Sequence, residues 1–185
     1  ISVYSDMAAA ELLDTRTGKR TPVDSASYAV EFITDGNGKP RIVGFRPHRN
    51  ATGQDEGERV YRFRSAQNDK WLPFAVYNAV SGTGFNPYAV DAARNVAYGF
   101  RKKGDGRLAV YTKALDVEGR ETLLYGRDDV DVDGLVRIGP AQRVVGASYV
   151  TDTRHYEYFD PVVKEVMASL ARKLPGQPVL YVADS

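Results

Sequence analysis

The segment Leu108–Leu124 reads LAVYTKALDVEGRETLL. Apolar residues alternate with polar ones over Leu108–Leu115, a polar turn carries Gly119-Arg120, and a second extended stretch runs over Glu121–Tyr125. Alternation at a period of two, interrupted by Asp, Glu and Gly, is the pattern of a β-hairpin. The same pattern stands earlier as Leu12-Leu13-Asp14, Thr17-Gly18-Lys19 and Val23, and again as Tyr61-Arg62-Phe63-Arg64 followed by Asp69-Lys70-Trp71-Leu72. From Leu13 to Phe63 to Leu115 the steps are 50 and 52 residues, and from Lys19 to Lys70 to Arg120 they are 51 and 50. A repeat of this length with several short strands in each copy matches the blade of a β-propeller better than any helical repeat.

Working outward, the residues divide into units of short antiparallel strands. Residues 1–24 read as the end of a blade, with strands at Ile1–Tyr4 and Ala9–Leu13 and a turn over Asp14–Lys19. Residues 25–79 form a unit with strands at Tyr28–Ile33, Arg41–Phe45, Arg59–Arg64 and an outermost Trp71–Tyr77. Within it Asp35-Gly36-Asn37-Gly38 makes a tight turn and Arg46–Glu58 a surface loop. Ser81-Gly82-Thr83-Gly84 marks the passage to a unit over 80–130, whose strands are Tyr88–Asp91, Val96–Phe100, Leu108–Lys113 and Glu121–Tyr125. A last unit, 131–185, carries Gly134–Ile138, Arg143–Tyr149 and His155–Phe159, then a helix, then a closing strand at Val179–Val182. The helix starts at the cap Asp160-Pro161. It carries Val162, Val163, Val166, Met167, Leu170 and Leu174 as an apolar stripe and stops at Pro175-Gly176. The expected fold is all-β: about three four-stranded antiparallel blades of a partial propeller, with one inserted helix near 161–174.

Composition bounds the function. Lys plus Arg number 25 against 24 Asp plus Glu, a net charge of +1 that gives no reason to expect nucleic acid or an anionic membrane surface as partner. The absence of Cys excludes disulfides and thiolate chemistry and leaves the compartment open, periplasm or cytoplasm. No apolar run reaches the roughly 18 residues of a membrane helix. The chain begins and stops inside strand patterns, and is read as a piece of a longer protein.

The run Val130-Asp131-Val132-Asp133-Gly134-Leu135, then Arg143–Tyr149, then Glu157-Tyr158-Phe159-Asp160-Pro161 and Leu174-Pro175-Gly176 resembles the propeller region of bacterial serine peptidases of the prolyl oligopeptidase family. Its look is that of the dipeptidyl-peptidase and acylaminoacyl-peptidase-like branch, over Tyr88–Ser185 foremost. The resemblance implies a propeller that caps a C-terminal α/β-hydrolase domain of the same protein, which carries a Ser, Asp and His triad and cleaves short peptides. That hydrolase part is absent here. No G-x-S-x-G elbow occurs, and Ala79-Val80-Ser81-Gly82-Thr83 lacks the first Gly. A stand-alone propeller of the TolB-like kind, acting as a protein-binding scaffold, is the alternative. In either case unpaired blade edges invite self-association.

No catalytic, cofactor or metal residue is assigned, because each motif has a plainer reading. Asp129-Val130-Asp131-Val132-Asp133-Gly134 opens like a calcium loop, but the twelfth position, where such loops carry Glu, is Pro140. The interleaved Val130, Val132 and Leu135 instead point to a strand edge with its acids in water. His48, in a polar loop, and His155, at the start of a strand, make neither a zinc site nor a triad without partners, and a structural or surface role is the plainer reading of each. Asn50-Ala51-Thr52 is a glycosylation acceptor only in a secreted eukaryotic protein. Arg101-Lys102-Lys103 reads as a solvated tip, and Trp71 as packing between sheets. Tyr156 and Tyr158 share one face, a core pattern or a channel lining.

Overall fold

The computed structural model describes residues 7–46, 57–139 and 141–175. Strands β1 (Met7–Leu13) and β2 (Arg20–Ser27) pair as a first sheet. The second sheet holds β3 (Ala29–Thr34), β4 (Pro40–Phe45), β5 (Glu58–Arg64), β6 (Trp71–Asn78) and β7 (Thr83–Gly84). The third holds β8 (Asn86–Asp91), β9 (Val96–Lys102), β10 (Leu108–Ala114) and β11 (Glu121–Tyr125). The fourth holds β12 (Val132–Ile138), β13 (Arg143–Val150) and β14 (Arg154–Tyr158), followed by helix α1 (Pro161–Lys173). Among the described residues every pairing is antiparallel and joins strands that follow one another in the chain. The described residues are therefore all-β, a hairpin and three meanders with one helix.

The sheets have two, five, four and three strands rather than a uniform four. Thr83–Gly84, expected to be a passage between units, pairs with Tyr77 and Asn78 as β7, so Trp71–Tyr77 is not the outermost strand. The expected strands at Ile1–Tyr4 and Val179–Val182, and loop residues 47–56, lie outside the described residues.

The sequence repeat has a structural counterpart. Each copy is a hairpin whose closing bond ends on the carbonyl of the repeated basic residue. The Asp14 N–H donates to Lys19 at 2.9 Å, Ser65 to Lys70 at 2.9 Å and Ala114 to Arg120 at 3.0 Å. The residue before each basic one, Gly18, Asp69 and Gly119, has φ of +71°, +59° and +56°. Only Gly, Asn or Asp enters this left-handed region cheaply, which is why those types recur there. A short polar side chain at the start of each turn ties it down. Asp14 Oδ1 accepts from the Arg16 N–H at 2.9 Å, Ser65 Oγ from Gln67 at 3.2 Å and Asp116 Oδ1 from Gly119 at 2.8 Å.

The cores lie between consecutive sheets. Ile42, Tyr61 and Phe63 of the second sheet pack on Val90, Ala97 and Leu115 of the third, with Phe85 between them. Phe100 and Val110 of the third pack on Val132 and Ala147 of the fourth. Buried Arg41 links the second and third sheets by donating to Asn95 Oδ1 at 2.9 Å, while Asn95 Nδ2 donates to the Leu115 carbonyl at 3.0 Å. At the first sheet boundary, the Arg64 guanidinium lies 4.6 Å over the Trp71 ring and pairs with Asp24 of β2.

Helix α1 covers the fourth sheet. Asp160 is its N-cap, accepting from the Val163 N–H at 3.0 Å, and Arg143 pairs with the same carboxylate. Val163 and Met167 bury against Val145, whereas Val162, Val166 and Leu170 of the same stripe stay exposed. Asp160→Ala removes both the cap and the ion pair. It is expected to lower the melting temperature and the helical circular dichroism together, while Val162→Ala leaves both nearly unchanged. No helix among the described residues is long and apolar enough to cross a membrane.

Candidate functional site

The first strands of the second, third and fourth sheets, β3, β8 and β12, border a cleft of about 340 Å³. Its walls include Glu31 and Ile33 of β3, Tyr88 and Val90 of β8, Arg137 of β12 and Gln142. The strand period of two sends Glu31 and Ile33 to one face, as it does Tyr88 and Val90.

Two charged groups on this wall differ in how they are held. The Tyr61 hydroxyl donates to Oε1 of Glu31 at 2.9 Å and lies 3.0 Å from Oδ1 of Asn86. Burial first, then the charge of Glu31, pushes the Tyr61 phenol far above its usual value. Tyr61→Phe leaves a carboxylate and an amide oxygen short of a donor. It is expected to cost about 1.5–3 kcal/mol in a urea titration, the range for a hydrogen bond to a charged partner. Arg137, by contrast, donates from Nη2 to the Tyr88 carbonyl at 2.8 Å, and its buried Nε has no partner. Burial alone holds its guanidinium below the ordinary arginine value.

A second cleft of about 520 Å³ opens between β5–β7 and β9–β11, with Phe74, Val76 and Phe85 facing Arg101, Lys113 and Glu121. Here the charges satisfy one another. Lys113 Nζ donates to Glu121 Oε1 at 2.9 Å and to the Gly119 carbonyl at 3.1 Å, and it lies 5.6 Å from the Phe74 ring centre. Arg101 takes the other oxygen of Glu121. Burial would raise the Glu121 carboxyl, but the Lys113 and Arg101 bonds outweigh it and hold it below the ordinary 4.5. Asp133 is likewise below 3.8: burial raises it, and the Arg154 and Ser148 bonds bring it down further.

Carboxyls depressed in the folded state contribute stability that is present above their unfolded values and lost as pH falls through the folded ones. Urea midpoints are therefore expected to owe no change to these two groups between pH 8 and about 5, and to fall below about pH 4. Glu121→Gln is expected to flatten part of that acid limb; an unchanged slope would remove Glu121 from the account.

The motifs picked out in the sequence do not converge. Asp129 pairs with Arg127, Asp131 Oδ1 accepts from the Leu108 N–H at 2.8 Å, and Asp133 is held by Arg154 and Ser148. Three acids that look outward to three different partners form no calcium cage, and no metal-binding cluster occurs among the described residues. His155 Nε2 lies 2.9 Å from the Thr151 hydroxyl, and its ring stacks on Tyr149. His48 and Asn50-Ala51-Thr52 lie outside the described residues. Arg101-Lys102-Lys103 lies at the surface, with Arg101 and Lys102 exposed, and each of the three cations has a partner. Arg101 meets Glu121, Lys102 donates to the Ser81 carbonyl at 2.8 Å, and Lys103 meets Asp105 and Asp128. Tyr158 packs near the core under α1, and Tyr156 stacks beside it at 6.5 Å on the exposed side. The sequence reading passed over Glu31 and Arg137. The available signal was an arginine inside the apolar run Leu135-Val136-Arg137-Ile138. No protein-family model, curated protein or solved structure matches this chain.

Proposed function

We propose that the chain is a non-catalytic β-propeller segment of a prolyl oligopeptidase-type serine peptidase. In this reading its sheets form a wall that admits short peptides to an α/β-hydrolase domain of the same protein and excludes folded chains. The observation that carries it is the sheet order. Each meander runs strand by strand in sequence, and the second packs on the third and the third on the fourth through separate apolar cores. Stacked meanders without crossovers are how propeller blades are built. The hydrolase part rests on the resemblance of Val130–Leu135, Arg143–Tyr149 and Glu157–Pro161 to that family, a fold-level analogy. All reacting groups would come from the hydrolase domain through a Ser nucleophile.

The test is a fluorophosphonate probe applied both to this chain and to the protein purified from its source. The expected result is no labelling of the chain, labelling of the native protein, and turnover of chromogenic dipeptides by the native protein alone. A native protein that neither labels nor turns over peptides overturns the peptidase reading and favours the TolB-like scaffold. Labelling of the 185-residue chain itself would place a nucleophile within it. Open strand edges carry a further expectation: the isolated chain self-associates. Light scattering that reports a monomer at every concentration would count against it.

A further inference from the structure

We infer that Arg137 is the receptor for a small organic carboxylate bound in the cleft between β3, β8 and β12. Among the described residues no carboxylate forms an ion pair with this guanidinium; its one hydrogen bond goes to the neutral carbonyl of Tyr88 at 2.8 Å. Arginine presents five N–H donors in a planar fork, so four here have no acceptor among the described residues. Half-burying a cation without a counter-charge costs free energy that a fold does not incur for packing alone. Arg64 is the instructive contrast. It also has a buried Nε without a partner, yet its guanidinium is paired with Asp24 and lies over Trp71.

The surroundings specify the ligand. The cleft, about 340 Å³, is at the lower end of small-molecule sites, which run roughly 300–1,000 Å³. Ile33 and Val90 supply the apolar part of a wall that is mostly polar, which leaves room only for a short aliphatic body. Glu31, the other charge on the wall, is engaged by Tyr61 at 2.9 Å and is not a partner for Arg137. The carboxylate takes two of the N–H groups that the Tyr88 carbonyl leaves free. Two parallel charged hydrogen bonds favour a planar carboxylate over a single-atom anion. The terminal carboxylate of a short peptide and a free carboxylic acid share this chemistry. The inference does not depend on the peptidase reading.

Calorimetry on the full chain with N-acetyl-alanyl-alanine, its C-terminal amide and hexanoate tests it. The acid is expected to bind at least about tenfold more tightly than the amide, the equivalent of losing one charged hydrogen bond. Binding by the peptide acid alone identifies a peptide C-terminus as the ligand, and equal binding by hexanoate identifies free carboxylic acids. Arg137→Met is expected to abolish the preference for acid over amide while leaving the melting temperature unchanged or raised, because it removes an unpaired charge. Arg137→Lys retains part of the preference, since a point charge replaces the fork. Equal binding of acid and amide, a preference that survives in Arg137→Met, or no binding by any of the three probes overturns the inference.

Discussion

Phe63→Ala is expected to destabilise the chain by about 3–5 kcal/mol, the usual range for deleting a buried aromatic side chain. Phe63 is 1% exposed and packs with Ile42, Tyr61 and Leu115, its ring centre 5.8 Å from that of Phe74. Removing it opens a void where the second and third sheets meet, and backbone hydrogen bonds on both sides limit how far the sheets can collapse into it. Its repeat-mates supply internal controls. Leu115 is 2% exposed in the same core, so Leu115→Ala is expected to cost about 2–5 kcal/mol. Leu13 is 53% exposed, so Leu13→Ala is expected to stay within about 0.5 kcal/mol. Urea titration of the three variants checks this. Equal losses at all three positions would show that the repeat, rather than the packing, governs the energetics.

Gly36→Ala is expected to cost about 2–5 kcal/mol, from two separable causes. Gly36 has φ of +77°, where an L-residue with a Cβ is strained by about 1–2 kcal/mol. A Cβ there would also overlap the backbone carbonyl of Ala141, where the β3–β4 turn meets the turn before β13. Backbone does not swing aside as a side chain does, so the turns must separate, at the typical overpacking cost of about 1–3 kcal/mol. Gly18→Ala isolates the first cause. Gly18 has φ of +71° but open space around its would-be Cβ, so only the strain applies. If the two substitutions lower the melting temperature alike, the contact between the turns contributes nothing. Because this contact borders the Arg137 cleft, Gly36→Ala is also expected to weaken carboxylate binding, which Gly18→Ala is not.

Much of the strand order was legible because hairpins are local. Alternation at a period of two, and a Gly or Asp one residue before a basic residue, mark β1–β2, β5–β6 and β10–β11 through forces acting within about six residues. The helix was equally plain, since Asp160-Pro161 caps it from adjacent positions. Less legible were β7, which is two residues long, and the fate of the stripe on α1. Helical spacing placed Val162 with Val163, yet only Val163 reaches Val145. The charges were least legible of all. Arg101, Lys102 and Lys103 are adjacent in sequence, but the partners Glu121, Ser81 and Asp128 come from other segments.

By itself the sequence determined that this is a chain of short antiparallel hairpins with one capped helix, because each turn and cap is closed by bonds between near neighbours. Only the tertiary structure decided which of three equivalent apolar residues is buried, which acids are already paired, and that Arg137 borders a cleft with no counter-ion among the described residues. The physical reason is range: turn geometry depends on a handful of adjacent dihedrals, whereas burial and charge pairing depend on how whole sheets stack.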